Sequence, residues 1–513
     1  MNVAEESLPA HAAGPAVRAP ATGWRAGRVA QGARTMIGWL DTLGRAILVV
    51  ALIGELSVVL FDVSIRVLFT QSLLWTEEAS KLCLTTLAFL GGALAYRARH
   101  HTAIQFVTRL MPVPLREAVA AGIDAFILCA SVVVVSVSFE LYEIAGMSMT
   151  PILQISGSWI VLPFIVGMTL VVLFALERLA FEHSTRAVAT AVPVVAAAIL
   201  LALSIGSVPA WRPGNGTMLT IMLILFFAAV LLGLPVSFSM ILGTILFLQI
   251  TDAAPLIASA QNTVDGTGHF ILLTLPFFIW AGLIMEKGGI SVRLVRFASA
   301  LVGHLRGGLL QVVVVTVYLV SGISGSKAAD VVAVGSVLRR ELRRQGYKPE
   351  EGAAVLSSAG AMSETIPPCI AMLVLGSVTP ISIGTLFIAG LLPAAVIALF
   401  LMVMIYILAW KRGTPRAPRA GAGEFFGAMG GAILPLIMPV IMIIGIKFGI
   451  ATPTEVSAIA VLYGIALAAI IYRSIGVKSF IDIAVECGLL AGMVLFIIAA
   501  AGSFAWTLTA ANL

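Results

Sequence analysis

Two short strings carry most of the polar chemistry of an otherwise apolar chain: SGISGS at 321–326, followed by Lys327 and Asp330, and SETIPP at 363–368. In the first, Ser321, Ser324 and Ser326 supply hydroxyl oxygens, while Gly322 and Gly325 permit positive φ or close backbone approach. In the second, Ser363 and Thr365 supply hydroxyls, and Pro367 and Pro368 remove amide donors and stop a continuous helix. A helix broken inside a membrane exposes carbonyl and hydroxyl oxygens, the hard ligands that a sodium ion takes. It also exposes N–H groups at a positive dipole end, which favour a carboxylate. Glu364 lies deep in an apolar stretch, where an ionisable side chain marks a functional site unless it serves as a cap or packing group. Both readings of Glu364 stand, as do two for Lys327 and Asp330: three apart on a helix, they form a local pair or face a substrate. A Gly/Ser cluster taken alone would equally suit tight helix packing; two broken segments in succession favour a site.

A catalytic reading meets an obstacle. GISG at 322–325 matches the G-x-S-G string that carries the nucleophilic serine of rhomboid-type intramembrane proteases, in which a histidine on a later helix is the base. All six histidines here, His11, His100, His101, His183, His269 and His304, precede Ser324, and a serine without a base is a weak nucleophile. An enzyme is therefore not expected. Cys83, Cys129, Cys369 and Cys487 stand singly in apolar segments, as small packing residues rather than a zinc site or a disulfide framework.

The elements that must hold these strings follow from composition. Of 513 residues, 60% are hydrophobic and 11% charged, against roughly 45–50% and about 25% in soluble domains. A water-soluble globule is excluded, and apolar runs long enough for helices to cross a bilayer predict an all-α polytopic membrane protein. Spans fall near 43–67, 82–96, 118–145, 158–177 and 190–208, then 217–232 and 236–250, and finally 384–410, 432–449, 453–471 and 480–509. Arg25, Arg28, Arg34 and Arg45 precede the first span, Arg97, Arg99, Arg109 and Arg116 follow the second, and Arg178 and Arg186 follow the fourth. The positive-inside rule places the N-terminus in the cytoplasm. Glu55, Asp62 and Arg66 in the first span belong to a helix interface or the membrane border. Residues 309–338 form one apolar stretch with Arg306 before it and Arg339, Arg340, Arg343, Arg344 and Lys348 at its far end. Both ends are cytoplasmic by this rule, so the stretch is a re-entrant hairpin with SGISGS near its tip. The next span, 353–378, is broken by SETIPP.

The chain resembles the membrane component of tripartite ATP-independent periplasmic (TRAP) transporters, with small and large subunits fused. The small-subunit likeness rests on WTEE at 75–78, LGGA at 90–93 and the basic turn at 97–101. The large-subunit likeness rests on GLPV at 233–236, LPFFIWAGLIMEKGGIS at 275–291, GHLRGGL at 303–309, SGISGSKAADVVAVGS at 321–336, IPP at 366–368, LFIAGLLP at 386–393 and TPTE at 452–455. The resemblance implies an elevator-type secondary transporter built from inverted repeats, with no cofactor beyond Na+ as coupling ion. It would import an organic anion, such as a C4-dicarboxylate, sialic acid or another carboxylate, delivered by a periplasmic substrate-binding protein across the bacterial inner membrane. An elevator-type anion transporter working without a binding protein is the alternative.

Carried onto this chain, the family's sodium site at the hairpin tip would use Ser321, Gly322, Ser324, Gly325, Ser326, Ser363 and Thr365. Ser326, Lys327, Glu364 and Pro367 would border the substrate, and Thr452, Thr454 and Glu455 form an ion or structural motif. Lys327 and Cys369 stand where the family pattern favours a small residue. The implied organisation is a disordered cytoplasmic tail at 1–35, a four-helix scaffold at 36–186, a linking helix and loop at 187–216 and a transport domain at 217–513. That last region would hold a first repeat at 217–413 and part of a second at 430–513. The family pattern normally continues to a second hairpin, so this polypeptide is expected to lack a second sodium site and to be unable to transport by itself.

Overall fold

The computed structural model of the chain describes residues 28–206, 215–324, 327–413 and 416–510 and, within them, the side chains of all but 29, 200–206, 215, 324 and 327–329. Nine helices among the described residues are long and apolar enough to cross a membrane. The multi-pass all-helical architecture expected from composition is therefore the one observed.

The N-terminal part consists of α1 (Arg28–Phe69), α2 (Trp75–Arg97), the short α3 (Phe106–Leu110), α4 (Val113–Gly146) and α5 (Ser158–Phe181), followed by α6 (Thr185–Gly206). Helix α1 starts at Arg28, so residues 28–35, read from composition as the end of a disordered tail, are helical. Alanine, arginine and glutamine propagate a helix readily, and an apolar segment of nearly thirty residues beyond them supplies the costly nucleus. Its basic end is fastened by Arg97, whose guanidinium donates to the Ile37 carbonyl and to Glu177, both at 3.1 Å. Asp124 gathers the neighbouring helices: it accepts from Tyr96 at 2.6 Å and from Arg178 at 3.1 Å, with His183 Nε2 at 2.7 Å. These charges are buried but mutually satisfied, the condition under which buried charge is tolerated.

The remaining chain opens with α7 (Asn215–Leu231), α8 (Val236–Thr251), α9 (Ile257–Asp265) and a 3-10 turn at Phe270–Leu273 that leads into α10 (Thr274–Lys287) and α11 (Ile290–Val302). Next come α12 (Gly308–Ser324) and α13 (Lys327–Arg344), which pack against each other as the expected hairpin, and then α14 (Pro349–Ser363) and α15 (Ile370–Val378), the two halves of the expected broken span. Three long elements close the described chain: α16 (Ile383–Lys411), α17 (Ala422–Lys447) and α18 (Pro453–Ile465), the last continuing as a π-helical turn at Ala466–Ile471, before α19 (Val477–Ala510).

Small residues set the closest helix crossings. A Cβ added at Gly492 in α19 would lie 2.5 Å from the Gly91 backbone in α2, and one at Gly167 in α5 would lie 2.5 Å from the Phe89 carbonyl. Backbones thus touch where two apolar helices meet, as dispersion-driven packing in a membrane requires. Phe89 meets Phe164 at 4.7 Å with the rings tilted at 60°, and Phe496 meets Phe238 at 5.5 Å, continuing the seam from α5 through α2 to α19 and α8. Beyond the end of α2, His101 donates from Nε2 to the Gly92 carbonyl at 2.8 Å, and burial pushes its imidazole down to about 4. It is neutral at ordinary pH and serves as a packed donor. Helices α10, α11, α14, α16 and α17 pack against the hairpin of α12 and α13.

Candidate functional site

The hairpin bends where SGISGS interrupts an apolar helix. Ser321, in the last turn of α12, is 1% exposed, and its Oγ lies 2.6 Å from the Val317 carbonyl and 2.6 Å from Asp330 Oδ2. One proton serves one acceptor at a time, so a lone pair of this oxygen is left for a further partner. Asp330 occupies the first turn of α13, where the helix dipole favours negative charge. The Ser321–Asp330 contact spans the bend and ties the two arms together. Sequence reasoning named Ser321 as a ligand and set a Lys327–Asp330 pair beside a substrate contact, but it did not foresee the Ser321–Asp330 contact, which exists only once the chain has turned back. Gly325 and Ser326 lie outside the described residues, as do the side chains of Ser324 and Lys327.

The second break runs from the end of α14 to the start of α15. Ser363 Oγ donates to the Gly360 carbonyl at 2.7 Å and Thr365 Oγ1 to the Met362 carbonyl at 2.8 Å, so each hydroxyl is anchored by its proton while its oxygen remains an acceptor. Pro367 and Pro368, joined by a cis peptide bond, contribute no donors. Glu364 is half-buried, with Oε2 3.5 Å from the Cys369 thiol.

The two breaks meet. A Cβ added at Gly322 would lie 3.9 Å from Ile366 and 3.6 Å from Pro439 of α17, so the end of α12, the SETIPP break and a proline-bearing stretch of α17 share one locus. Helix α16 approaches more closely still, since a Cβ at Gly390 would fall 2.2 Å from the Thr365 carbonyl oxygen. Neither Pro439 nor Gly390 was singled out from sequence. The signal was present in α17, where Pro435 and Pro439 stand inside an apolar helix; for Gly390 there was none beyond a small residue in the LFIAGLLP string. Ser321, Gly322, Ser363, Thr365 and Glu364 thus belong to one neighbourhood of broken backbone.

Thr452, Thr454 and Glu455 lie elsewhere. Thr452 N donates to Glu455 at 2.7 Å while Glu455 N donates to Thr452 Oγ1 at 3.4 Å, a reciprocal capping box at the start of α18. Glu455 also pairs with Arg66 of α1, and Thr454 Oγ1 lies 3.2 Å from Thr274 Oγ1 at the start of α10. All their hydrogen bonds and ion pairs among the described residues run within α18 or to α1 and α10, where they account for a joint. In the first span, Asp62 turns to the Leu73 amide at 2.9 Å rather than to Arg66. Glu55 is wholly buried, with neither carboxylate oxygen hydrogen-bonded among the described residues.

Comparison with known proteins divides the chain in two. Residues 223–513 match the family described as tripartite ATP-independent periplasmic transporter, DctM component, and residues 56–182 match the DctQ component of the same transporters. The chain is 28% identical over 461 residues to the sialic acid TRAP transporter permease protein SiaT of Haemophilus influenzae, covering 87% of this chain and 75% of that one. It is 39% identical over 250 residues to the C4-dicarboxylate TRAP transporter large permease protein DctM of Pseudomonas aeruginosa, covering 49% of this chain and 58% of that one. It is also 35% identical over 284 residues to the ectoine/5-hydroxyectoine TRAP transporter large permease protein UehC of Ruegeria pomeroyi, covering 55% and 66% respectively. The chain thus spans part of each relative's length.

Proposed function

The chain belongs to the tripartite ATP-independent periplasmic transporter family, with small and large membrane components in one polypeptide, and from that premise we propose that it serves sodium-coupled import of an organic anion handed over by a periplasmic substrate-binding protein. It is a membrane permease, not an enzyme. The observation that carries the finer reading is the meeting of two helix breaks at Gly322 and Ile366. Such a junction offers oxygen ligands to a cation and unpaired amides to a carboxylate in a setting shielded from water. Sodium is assigned to the oxygens of Ser321, Gly322, Ser324, Gly325, Ser326, Ser363 and Thr365. The anion is assigned to the adjoining face bordered by Ser326, Lys327, Glu364 and Pro367. Relatives named for sialic acid and C4-dicarboxylates support a substrate bearing a carboxylate. The arginine distribution supports an inner-membrane orientation with the N-terminus in the cytoplasm.

Proteoliposomes test this directly. Radiolabelled sialic acid or succinate, added with its periplasmic binding protein to vesicles holding a permease in which this chain is joined to a second hairpin, is expected to accumulate only under an inward sodium gradient, and the 513 residues alone are expected to give no accumulation. Accumulation independent of the binding protein would favour an autonomous anion transporter, and accumulation indifferent to sodium would remove the coupling. Ser363→Ala is expected to raise the sodium concentration for half-maximal response about fivefold to tenfold, the effect of losing one neutral oxygen ligand. An unchanged sodium response would take Ser363 out of the site.

A further inference from the structure

At the end of the hairpin opposite its tip, the turn between α11 and α12 abuts the last turns of α16. A Cβ added at Gly307 would lie 2.8 Å from Ile405 Cγ2 and 3.2 Å from Ala409 Cβ, and Gln311 Nε2 donates to the Met402 carbonyl at 2.8 Å. Arg306 stands at this junction, half-buried. Its Nε is buried without a hydrogen bond, and the side chain makes no ion pair among the described residues. Helix α12 begins two residues further on, at Gly308, so the positive end of that helix adds to the charge of Arg306 rather than offsetting it. The end of α16 and the segment after it contribute three exposed cations, Lys411, Arg412 and Arg416. Arg412 pairs with Glu351, and Arg416 donates to the Tyr406 hydroxyl at 3.3 Å. Lys411, like Arg306, makes no ion pair among the described residues. Trp410 beside it is 61% exposed.

A half-buried guanidinium without an anion is costly, and Glu351 is the one carboxylate ion-paired with any of these four cations among the described residues. The junction is short of negative charge. It lies where α16, long and apolar enough to cross a bilayer, comes to its end, and an exposed tryptophan at such an end sits at headgroup level. Basic pockets between spanning helices at that level take anionic headgroups, and a guanidinium binds phosphate oxygens through two parallel N–H donors. We propose that this junction binds the phosphodiester headgroup of an anionic phospholipid, with Arg306 as its anchor and Lys411 as the second cation. The exposed apolar side chains of α16, Phe400, Val403 and Ile407 among them, give the acyl chains a surface to lie along, which a free phosphate would not use. A bound lipid braces the start of α12 against the end of α16. Those two helices carry Gly322 and Gly390 to the broken segments, so the lipid stiffens the frame of the hairpin-tip site without touching it.

The test uses the full chain purified in detergent in choline chloride, with the midpoint of thermal unfolding followed as phosphatidylglycerol carrying eight-carbon chains is added. Phosphatidylcholine of the same chain length and inorganic phosphate are titrated in parallel. Phosphatidylglycerol is expected to raise the midpoint saturably, and the other two to leave it near its starting value. Arg306→Gln is expected to raise the concentration for half-maximal shift about tenfold, and Lys411→Gln about threefold to fivefold, as a half-buried charged donor and an exposed cation are lost in turn. Lys478→Gln, which removes an exposed cation from the first turn of α19, should leave the response unchanged. Lys411 lies on the surface, so its variant keeps the test decisive should Arg306→Gln fail to fold. Equal shifts from Lys478→Gln and Arg306→Gln would overturn the site, since diffuse surface charge would then account for the attraction. A response to inorganic phosphate or phosphatidylcholine as large as that to phosphatidylglycerol would overturn an anionic lipid as the occupant, and so would no response to phosphatidylglycerol. Sodium is absent throughout, so none of these outcomes depends on the coupling ion.

Discussion

Gly492→Ala is expected to loosen the joint between the small-component and large-component halves of the chain. The added methyl would sit 2.5 Å from the Gly91 Cα and carbonyl carbon and 2.6 Å from the Leu87 carbonyl oxygen. All three are backbone atoms of α2, so no rotamer change relieves the overlap and the helices must separate. Separation opens the seam in which Phe89 and Phe496 lie 6.3 Å apart, and a gap of half an ångström to an ångström already forfeits a quarter to a half of the dispersion energy of each contact. Overpacking of this kind costs about 1–3 kcal/mol and sometimes more, which for a chain of 513 residues corresponds to a fall of about 1–3 °C in the midpoint of unfolding. Two other glycines calibrate the measurement. A Cβ at Gly488 in the same helix approaches only the Leu48 side chain, at 3.3 Å, and one at the exposed Gly427 of α17 meets nothing within 4 Å. Gly488→Ala should therefore cost little, and Gly427→Ala should be neutral or slightly stabilising because alanine loses less backbone entropy. Equal midpoints for Gly492→Ala and Gly427→Ala would show that α2 and α19 are not in backbone contact.

What could be read from the chain beforehand depended on the range of the physics involved. The hairpin was legible because its evidence is local: an apolar stretch with arginines at both ends and glycines and serines between. The broken α14–α15 element was legible for the same reason, since tandem prolines stop a helix wherever they stand. The capping box at Thr452 and Glu455 was also written in the T-x-x-E spacing, although the sequence left it open between an ion motif and a structural one; the Arg66 partner from α1 supplies the structural account. The crossing at Gly91 and Gly492 was not legible. LGGA announces a place where something comes close, but the partner lies four hundred residues further on. The Ser321–Asp330 bridge was hidden for a related reason, as a turn within the hairpin converts a nine-residue separation into direct contact. The start of α1 was misjudged because composition alone cannot register that a polar, alanine-rich segment continues a helix nucleated downstream.

Gly390→Ala bears on the site itself and is expected to have the larger functional effect. Helix α16 passes the SETIPP break so closely that the new methyl would lie 2.2 Å from the Thr365 carbonyl oxygen and 2.5 Å from Met372 Cε. Met372 can swing aside, because a methionine terminus has alternative rotamers; the Thr365 carbonyl cannot, because it belongs to backbone fixed between the Met362 carbonyl, to which Thr365 N donates at 3.0 Å, and the proline pair that follows. Either α16 retreats or the break is displaced toward Gly322. In both cases the oxygens of Ser363 and Thr365 lose their register with the end of α12, and a cation site depends on register at the scale of a few tenths of an ångström. The sodium concentration for half-maximal response should rise more than about tenfold, beyond the effect of removing one hydroxyl, since every ligand drawn from the break moves together. Gly384→Ala, one and a half turns earlier on α16, provides the contrast: its Cβ would meet the Ile446 side chain at 2.7 Å rather than backbone of the break. It should lower stability while leaving the sodium response near that of the unsubstituted chain. If the two variants shift the sodium response equally, the break owes its position to α16 as a whole; if Gly390→Ala alone abolishes it, the single missing side chain beside Thr365 is what allows the broken backbone to be held in place.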